Sequence, residues 1–246
     1  SSVSSPINCF NGTGTILVSA TGGTPSYSNT GSFVVNAGTY NYIVTDTNGC
    51  TANTTAIITQ PSQLTPTATI INPIPCNGGT ATISISATGG TPTYTGTGNF
   101  TANAGIQNYT VLDLNNCSAT VSINVVQPSL LTSSVSVQNV ACNGLNNGSA
   151  TVSALGGTPN YTYLWSNGNT NASATNLAPG TYTVLVTDSN GCVSNNSATI
   201  TQPTGLSSSA TQTSSIACFG GTGNVFVSAT GGTTPYTGVG NFAVPA

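Results

Sequence analysis

The sequence predicts an all-β protein made of tandem small immunoglobulin-like antiparallel β-sandwich domains, beads on a string with one disulfide bond per bead. Three observations lead to this prediction. One set of motifs recurs along the 246 residues, apolar and polar residues alternate within each copy, and seven cysteines keep regular places in the copies. Short alternating stretches separated by Gly, Pro and Asn are typical of small β-sandwiches.

The acidic residues mark the repeat. The chain has only three of them, Asp46, Asp113 and Asp188, and each stands four residues before a cysteine. The second interval between them is slightly longer than the first, and each interval contains one full set of the recurring motifs. A period of this length indicates separate small domains rather than the thin stacked units of a solenoid.

Two further motifs set the domain boundaries. A Gly-Gly-Thr turn occurs once in each copy, and Gln-Pro ends three of the copies. We therefore predict four domains, repeat 1 over 1–61, repeat 2 over 62–128, repeat 3 over 129–203 and a partial repeat 4 over 204–246. Repeat 3 is longer because of extra residues around 161–168, which are typical of a fuller strand followed by a hairpin turn.

Within each repeat the apolar residues have a period of two. In repeat 2, Ala81, Ile83 and Ile85 are separated by single Thr or Ser residues, and Val121 and Ile123 follow the same rule. Such alternation predicts half-buried antiparallel strands with one face on the core and the other in water. We find no segment with the spacing of an amphipathic helix.

The composition excludes two classes of partner. Lys, Arg and His are absent, and the formal net charge is −3. A chain without cationic side chains has nothing to neutralise phosphates, so we expect no nucleic-acid binding. No apolar run reaches the roughly 20 residues of a membrane span, so we also expect no direct membrane insertion.

The same inventory bears on catalysis. Without His, Lys or Glu the chain cannot form the Ser-His-Asp, Cys-His or Ser-Lys arrangements of nucleophilic catalysis. The three Asp residues fall in different repeats, so they offer no carboxylate pair for acid–base chemistry. We therefore predict no enzymatic activity, no catalytic residue and no cofactor.

Six motifs follow one another in repeat 3. They are Cys-Asn-Gly (142–144), Gly-Ser-Ala-Thr-Val (148–152), Gly-Gly-Thr-Pro-Asn-Tyr-Thr-Tyr-Leu-Trp-Ser-Asn-Gly (156–168), Leu-Ala-Pro-Gly-Thr-Tyr-Thr-Val (177–184), Thr-Asp-Ser-Asn-Gly-Cys (187–192) and Thr-Gln-Pro (201–203). Together these motifs resemble the SprB repeat. The other repeats are similar to a shorter variant that has a Gly-x-Gly-x-Phe segment.

The resemblance implies a location for the protein. SprB repeats occur in very large surface adhesins of gliding Bacteroidota. The resemblance therefore implies export through the outer membrane by the type IX secretion route and display at the cell surface, with the protein anchored to the outer membrane or secreted. It also implies an association with gliding motility and cell adhesion.

The three Asp residues have two interpretations. In the first, Asp46, Asp113 and Asp188 are turn-forming acids that accept backbone N–H bonds in the loop leading to the next cysteine. In the second they bind Ca²⁺, which usually takes 6–8 oxygen ligands with several carboxylates among them. Each site offers a single carboxylate, so we favour the turn and predict no metal site.

The cysteines open and close the repeats. Four of them open a repeat (Cys9, Cys76, Cys142 and Cys218) and three close one (Cys50, Cys117 and Cys192). None shows the close spacing of a zinc site. The regular alternation of opening and closing cysteines favours one disulfide within each repeat, in an oxidising compartment. The predicted pairs are Cys9–Cys50, Cys76–Cys117 and Cys142–Cys192, with Cys218 left unpaired.

The aromatic residues also have two interpretations. Tyr163 and Trp165 lie in the longer part of repeat 3, and Phe33, Phe100 and Phe242 lie in the shortened version of the other repeats. We expect these side chains to pack in the core. The alternative is that Tyr163 and Trp165 form a face on which a sugar ring stacks.

Several functions are compatible with this organisation. The leading hypothesis is a non-catalytic structural or adhesive stalk segment of a large extracellular adhesin or filament. The alternatives are an array of carbohydrate-binding modules, a self-assembling extracellular fibre whose edge strands lack protecting charges, and more distantly a threonine-rich ice-binding surface. The expected partners are neighbouring repeats of the same chain, other copies of the chain or surface glycans.

The joints between repeats are nearly constant in length. The interval from a closing cysteine to the next opening cysteine differs by no more than one residue between joints, although the repeats themselves differ in length. Pro61, Pro128 and Pro203 fall in these joints, where a fixed φ limits bending. We therefore expect the repeats to run end to end as an elongated stalk.

Overall fold

The regular structure of the chain is entirely β. The computed structural model describes residues 1–245, which form nineteen strands and no helix. All neighbouring strands pair antiparallel. The predicted all-β antiparallel class is therefore confirmed.

Repeats 1 and 2 have the same two small sheets. In repeat 1 these are the three-stranded sheet β1-β2-β3 and the two-stranded sheet β4-β5. The strands are β1 (Ser2–Ser5), β2 (Gly14–Val18), β3 (Gly31–Val35), β4 (Gly38–Thr45) and β5 (Thr51–Ile58). The corresponding strands of repeat 2 are β6 (Thr65–Asn72), β7 (Ala81–Thr88), β8 (Gly98–Ala102), β9 (Gly105–Leu112) and β10 (Ser118–Val125).

Repeat 3 has two three-stranded sheets, in the orders β11-β12-β14 and β13-β15-β16. Its strands are β11 (Thr132–Gln138), β12 (Gly148–Leu155), β13 (Thr162–Trp165), β14 (Ser173–Leu177), β15 (Gly180–Thr187) and β16 (Val193–Ile200). Repeat 4 has the single sheet β17-β18-β19, with β17 (Ser207–Ser214), β18 (Thr222–Thr230) and β19 (Gly240–Pro245).

The strands belong to two compact units. The first unit is Ser1–Ile74 with Gly78–Gln127, and the second is Pro75–Asn77 with the residues from Pro128 onwards. The segment Pro75–Asn77 therefore belongs to the second unit, although its neighbours on both sides belong to the first. The four predicted domain boundaries stay a prediction.

Each complete repeat has a core between its two sheets. In repeat 1, for example, Ile16 and Val18 of the first sheet are buried together with Val44, Ala56 and Ile58 of the second. Separate buried clusters lie in repeats 2 and 3. Both sheets supply the buried side chains, so they pack face to face as the alternating pattern predicts.

The extra segment of repeat 3 forms the predicted fuller strand but not a hairpin. β13 pairs with β15, and the turn after it is closed by the N–H of Gly168, which donates to the carbonyl of Trp165 at 2.8 Å. The next strand, β14, pairs with β12 in the opposite sheet. The turn therefore carries the chain from one sheet to the other, and the predicted hairpin is corrected to a crossover between sheets.

The core of repeat 3 gives a stability prediction with a matched control. Leu177 is 2% exposed and Leu155 is 76% exposed. We expect Leu177→Ala to lower the free energy of unfolding by about 2–5 kcal/mol because it leaves a cavity, and Leu155→Ala to lower it by less than about 0.5 kcal/mol. Urea unfolding followed by Trp165 fluorescence measures repeat 3 alone, since the chain has one tryptophan. Equal losses in the two variants would contradict this account of the core.

Candidate functional site

Each aspartate lies in a tight turn between two strands, and both of its oxygens accept backbone hydrogen bonds. In repeat 2, Oδ1 of Asp113 accepts the N–H of Asn115 and of Cys117, each at 2.9 Å. Its Oδ2 accepts the N–H of Thr91 at 2.8 Å. Equivalent bonds of 2.8 to 2.9 Å reach Asp46 from Asn48, Cys50 and Thr24, and reach Asp188 from Asn190, Cys192 and Thr158. We call this arrangement the closing turn.

The closing turn favours the ionised carboxylate. The N–H of Thr91 is the largest cause that lowers the pKa of Asp113, followed by the N–H groups of Cys117 and Asn115, while burial acts in the opposite direction. The pKa of Asp46 and of Asp188 is also lowered, again chiefly by the N–H of the threonine in the facing loop. Three N–H donors on one carboxylate stabilise its charged form.

The facing Gly-Gly-Thr loop fits closely around the carboxylate. A Cβ on Gly90 would lie 2.7 Å from Oδ2 of Asp113, and one on Gly23 would lie 2.7 Å from Oδ2 of Asp46. The hydroxyl of Tyr94 donates to the carbonyl of Gly89 at 2.7 Å and holds the loop from its other side. The second glycine is therefore required for contact with the aspartate, since any side chain there would displace it.

The same loop holds the peptide that leads into the repeat, which we call the entry peptide. In repeat 2 the N–H of Gly90 donates to the carbonyl of Ser62 at 2.9 Å, and a Cβ on Gly89 would overlap the carbonyl of Gln63. Leu64 follows and is buried in the core of repeat 2. The closing turn and the entry peptide thus lie at the same end of the repeat.

A second turn surrounds the opening cysteine at the far end of the repeat, and we call it the opening turn. In repeat 3 the N–H of Gly144 donates to Oε1 of Gln202 at 2.9 Å, and Nδ2 of Asn143 donates to the carbonyl of Pro203 at 3.0 Å. In repeat 1 the N–H of Asn11 donates to Oε1 of Gln60 at 2.9 Å. The opening turn is therefore bound to the Gln-Pro motif at which its own repeat ends.

The disulfide bonds join opening turns to the closing turns of the next repeat in the sequence. Cys9 is bonded to Cys117, and Cys76 is bonded to Cys192, with Cα–Cα distances of 5.6 Å in both. The predicted pairs within repeats, Cys9–Cys50, Cys76–Cys117 and Cys142–Cys192, are therefore wrong, and so is the prediction of one disulfide in each bead. Cys50, Cys142 and Cys218 are free and exposed.

Strand length explains why a repeat cannot bridge its own two cysteines. Cys50 directly precedes β5, whereas Gln60, to which the opening turn around Cys9 is bound, follows the other end of that strand. Eight residues of strand extend about 26 Å at roughly 3.3 Å per residue. Disulfide-bonded cysteines need Cα atoms within about 7 Å of each other. The opening and closing cysteines therefore lie at opposite ends of one repeat.

Each bridge is supported by an asparagine of the closing turn. Nδ2 of Asn115 donates to the carbonyl of Asn8 at 3.2 Å and to Oγ1 of Thr91 at 3.0 Å. Nδ2 of Asn190 donates in the same way to the carbonyl of Pro75 at 3.0 Å and to Oγ1 of Thr158 at 2.9 Å. The residue just before each bridged opening cysteine is thus hydrogen-bonded to the closing turn, which aligns the two sulfur atoms.

The geometry bears on the calcium interpretation of the aspartates. Residues 1–245 contain no group of three or more His, Cys, Asp or Glu side chains close enough to hold a metal ion. Both oxygens of each carboxylate already accept backbone N–H bonds. A cation would have to compete with these three donors, so the arrangement suits a structural turn better than a calcium ligand.

The aromatic residues of repeat 3 lie in and beside its core. Trp165 is 1% exposed, and its Nε1 donates to the carbonyl of Asn171 at 3.0 Å. Tyr163 is half-buried and packs against the same cluster. Phe33 and Phe100 also pack against their cores, whereas Phe242 is 43% exposed. The buried indole of Trp165 is therefore inaccessible to a sugar ring.

Comparison with known families supports the resemblance found in the sequence. The family model described as SprB repeat matches residues 1–39 and 134–170, which together make up less than half of the chain. Each matched segment begins eight residues before an opening cysteine and includes a Gly-Gly-Thr loop. No curated protein matches the chain. The resemblance to the SprB-repeat family is confirmed for these two segments.

The family match and the disulfides also bear on location. A match to the SprB repeat suggests a repeat region related to surface adhesins. Disulfide bonds persist in oxidising environments outside the cytosol. Together these findings indicate an extracellular or cell-surface protein. None of the described residues forms a helix with the length and hydrophobicity of a membrane span.

The lowered pKa of the aspartates predicts how stability depends on pH. A carboxyl with a lower pKa in the folded chain stabilises the fold above its ordinary pKa of 3.8, and this contribution is lost as the pH falls through the folded value. We expect the urea midpoint of repeat 3, followed by Trp165 fluorescence, to be steady between pH 7 and 5 and to fall below about pH 4.

Two variants test the source of this pH dependence. Asp188→Asn keeps the size of the side chain but removes the charge and one acceptor oxygen, so it should lower the midpoint at pH 7 and flatten the decline below pH 4. Asp46→Asn makes the same change in repeat 1 and should leave the Trp165 curve unchanged. A decline that survives in Asp188→Asn would show that another group is responsible.

The disulfide pattern can be tested by cleavage before the three aspartates, because the chain has no Lys or Arg for trypsin. With the free thiols alkylated and the protein denatured, a protease that cuts before Asp gives the fragments 1–45, 46–112, 113–187 and 188–246. The observed bridges join the first fragment to the third and the second to the fourth, so we expect two products. Bridges within repeats would instead hold all four fragments in one product.

Proposed function

We propose that this chain is a non-catalytic structural and adhesive stalk segment of a large extracellular adhesin or filament. The observation that carries the proposal is that two opening turns are disulfide-bonded to the closing turn of the next repeat, through Cys9–Cys117 and Cys76–Cys192. A covalent tie between successive repeats suits a protein whose task is to hold its repeats in sequence. The same device has no use in a set of independent binding modules.

The joints support the proposal through their polar contacts as well. The entry peptide is hydrogen-bonded to the Gly-Gly-Thr loop in three repeats, through Gly90, Gly157 and Gly232. Asn115 and Asn190 add a bond from the closing turn to the preceding opening turn. These contacts use backbone groups and asparagine side-chain amides and need no cationic residue, in keeping with a chain that has no Lys or Arg.

We also propose that the segment has no catalytic activity. The chain has no His, Lys or Glu, and the three carboxylates are each engaged with backbone N–H groups of their own repeat. A carboxylate held in this way is a poor general base, because its lowered pKa reduces its affinity for a proton. We therefore propose that the segment acts by position and contact alone.

Location and partners follow from the same reasoning. We propose that the parent protein is exported to the cell surface, anchored to the outer membrane or secreted, as the resemblance to SprB repeats implies. Its partners would be the neighbouring repeats of the chain, other copies of it or surface glycans. The carbohydrate-binding alternative is weakened because Trp165, the strongest candidate for stacking on a sugar, is buried.

Small-angle scattering tests the stalk. A compact globule of 246 residues has a radius of gyration of about 18 Å. We expect the oxidised chain to exceed this value clearly, and to give the same value over a tenfold range of concentration. A radius as small as that of the compact globule would contradict the proposal. Saturable binding to one glycan on a glycan array would favour the carbohydrate-binding alternative.

A further inference from the structure

Three repeats hold an entry peptide in the same way. The N–H of the second glycine of the loop donates to the carbonyl of a Ser or Thr that follows Gln-Pro. The three bonds are Gly90 to Ser62 at 2.9 Å, Gly157 to Ser129 at 2.9 Å and Gly232 to Thr204 at 2.7 Å. The entry peptides share the pattern Gln-Pro-Ser/Thr-x-Leu. The loop of repeats 2, 3 and 4 is therefore a binding site for one kind of peptide.

The first glycine of the loop shows where this peptide lies. A Cβ on Gly89, Gly156 or Gly231 would overlap the carbonyl of the residue before the leucine, namely Gln63, Leu130 or Gly205. The equivalent residue of repeat 1 is Gly22, which has a similar φ of 81°. Apart from Gly22 and its two neighbours in the chain, no atom of the described residues lies within 4 Å of a Cβ built on Gly22.

Repeat 1 therefore has the same loop with an open face. A groove of about 350 Å³ lies there, and Gly22, Gly23, Tyr27, Asp46 and Cys50 are among the residues that line it. Its closing turn is fully formed, with the three N–H bonds to Asp46 and the hydroxyl of Tyr27 on the carbonyl of Gly22 at 2.7 Å. The groove is thus already in the form that the other repeats use.

Asn48 in the closing turn of repeat 1 makes one of the two hydrogen bonds that its equivalents in repeats 2 and 3 make. Nδ2 of Asn48 donates to Oγ1 of Thr24 at 2.9 Å. Its equivalents Asn115 and Asn190 make that bond and a second one, to the residue before a bridged opening cysteine. Cys50, two residues after Asn48, is free and exposed.

We propose that this face of repeat 1 docks the exit of another repeat of the SprB type. The Gln-Pro-Ser/Thr-x-Leu peptide would bind along Gly22 and Gly23, and the opening turn would meet Asn48 and form a disulfide with Cys50. The proposal goes beyond the stalk function, because it concerns which partner the face accepts. It rests on continuity with the three equivalent interfaces in the same chain.

A second copy of this chain is a poorer occupant. The three entry peptides of such a copy are already hydrogen-bonded to its own repeats, through Gly90, Gly157 and Gly232. Cys142 of a copy is free, but the entry peptide at the exit of its repeat is already bonded through Thr204 to Gly232. The groove therefore selects a repeat whose exit is not yet bound.

The covalent step is an ordinary thiol–disulfide exchange. The thiolate of Cys50 attacks the cysteine sulfur of a mixed disulfide between the incoming opening cysteine and glutathione, and the glutathione sulfur is the leaving group. The new S–S bond joins the two cysteines, and glutathione leaves as its thiol, which takes up the proton that Cys50 lost. Oxidised glutathione in the buffer is the oxidant, because its exchange with the thiol of the incoming cysteine forms the mixed disulfide and releases one reduced glutathione.

The experiment places an extra copy of residues 1–67 in front of the full chain, which keeps the natural spacing between a closing cysteine and the next opening cysteine. After oxidation with glutathione, alkylation and cleavage before Asp, we expect the added Cys9 to be bonded to the original Cys50. We also expect that the original Cys50 is no longer found in its alkylated form. The original Cys9–Cys117 bridge in the same digest reports that the extended chain has folded.

Matched variants separate docking from mere thiol reactivity. Gly22→Ala and Gly89→Ala have similar backbone strain, with φ of 81° and 74°, but only Gly89 contacts an entry peptide in the unextended chain. In the unextended chain we expect Gly89→Ala alone to reduce the yield of the Cys9–Cys117 bridge. In the extended chain, Gly22→Ala in the original repeat 1 should reduce the yield of the new bridge by a factor similar to that by which Gly89→Ala reduces the yield of Cys9–Cys117.

Three results would overturn the proposal. The first is full alkylation of the original Cys50 in chains that do form the original Cys9–Cys117 bridge. This result would have to be found both with this extension and with a second extension that copies residues 134–209. The second is a Cys50 bridge that Gly22→Ala leaves unchanged. The third is disulfide-linked dimers of the unextended chain through Cys50 and Cys142, which would make a second copy the occupant.

Discussion

Three backbone N–H groups converge on each aspartate carboxylate, and the joints between repeats depend on this convergence. At Asp113 the donors come from Thr91 on one side and from Asn115 and Cys117 on the other, so the carboxylate ties the Gly-Gly-Thr loop to the closing turn. The loop then holds the entry peptide, and the closing turn presents its cysteine to the preceding opening turn. All three acidic residues of the chain tie their loop to their closing turn in this way, and Asp113 and Asp188 do so at a bridged joint. Loss of one carboxylate would therefore loosen both attachments at that joint.

Much of the fold could be predicted from the sequence because it depends on local signals. Alternation of residues such as Ala81, Ile83 and Ile85 identifies half-buried strands, and all three are buried in the structure. The disulfide pairs could not be predicted in this way. Each complete repeat of a tandem array has a closing cysteine that could bond to Cys76. The spacing along the chain does not tell which of these closing cysteines lies near it. Strand length excludes only the cysteine of the same repeat, since about 26 Å of β5 separates the two ends of repeat 1. The choice among the other repeats depends on how they meet, as the bond from Asn190 to the carbonyl of Pro75 shows for Cys76.

Repeat 3 shows the same division between local and non-local information. The aromatic segment around Trp165 predicts a strand, and β13 forms there. The sheet that the next strand joins after the turn depends on which sheet has an unpaired edge strand. That is a property of the whole repeat. β14 takes the edge beside β12, and Trp165 is buried between the sheets with its Nε1 bonded to Asn171. The aromatic segment therefore predicts the buried Trp165 but not the crossover that encloses it.

The two disulfide loops overlap, because Cys76 lies inside the loop closed by Cys9 and Cys117. The shortest covalent route through the chain therefore crosses from Cys9 to Cys117, runs backwards to Cys76 and crosses again to Cys192. Residues 10–75 and 118–191, more than half of the chain, lie outside this route. Tension applied to the two ends would be carried around these residues even after their strands had separated. An overlapping ladder of this kind limits how far a pulled chain can lengthen, and each added repeat would extend the same protection.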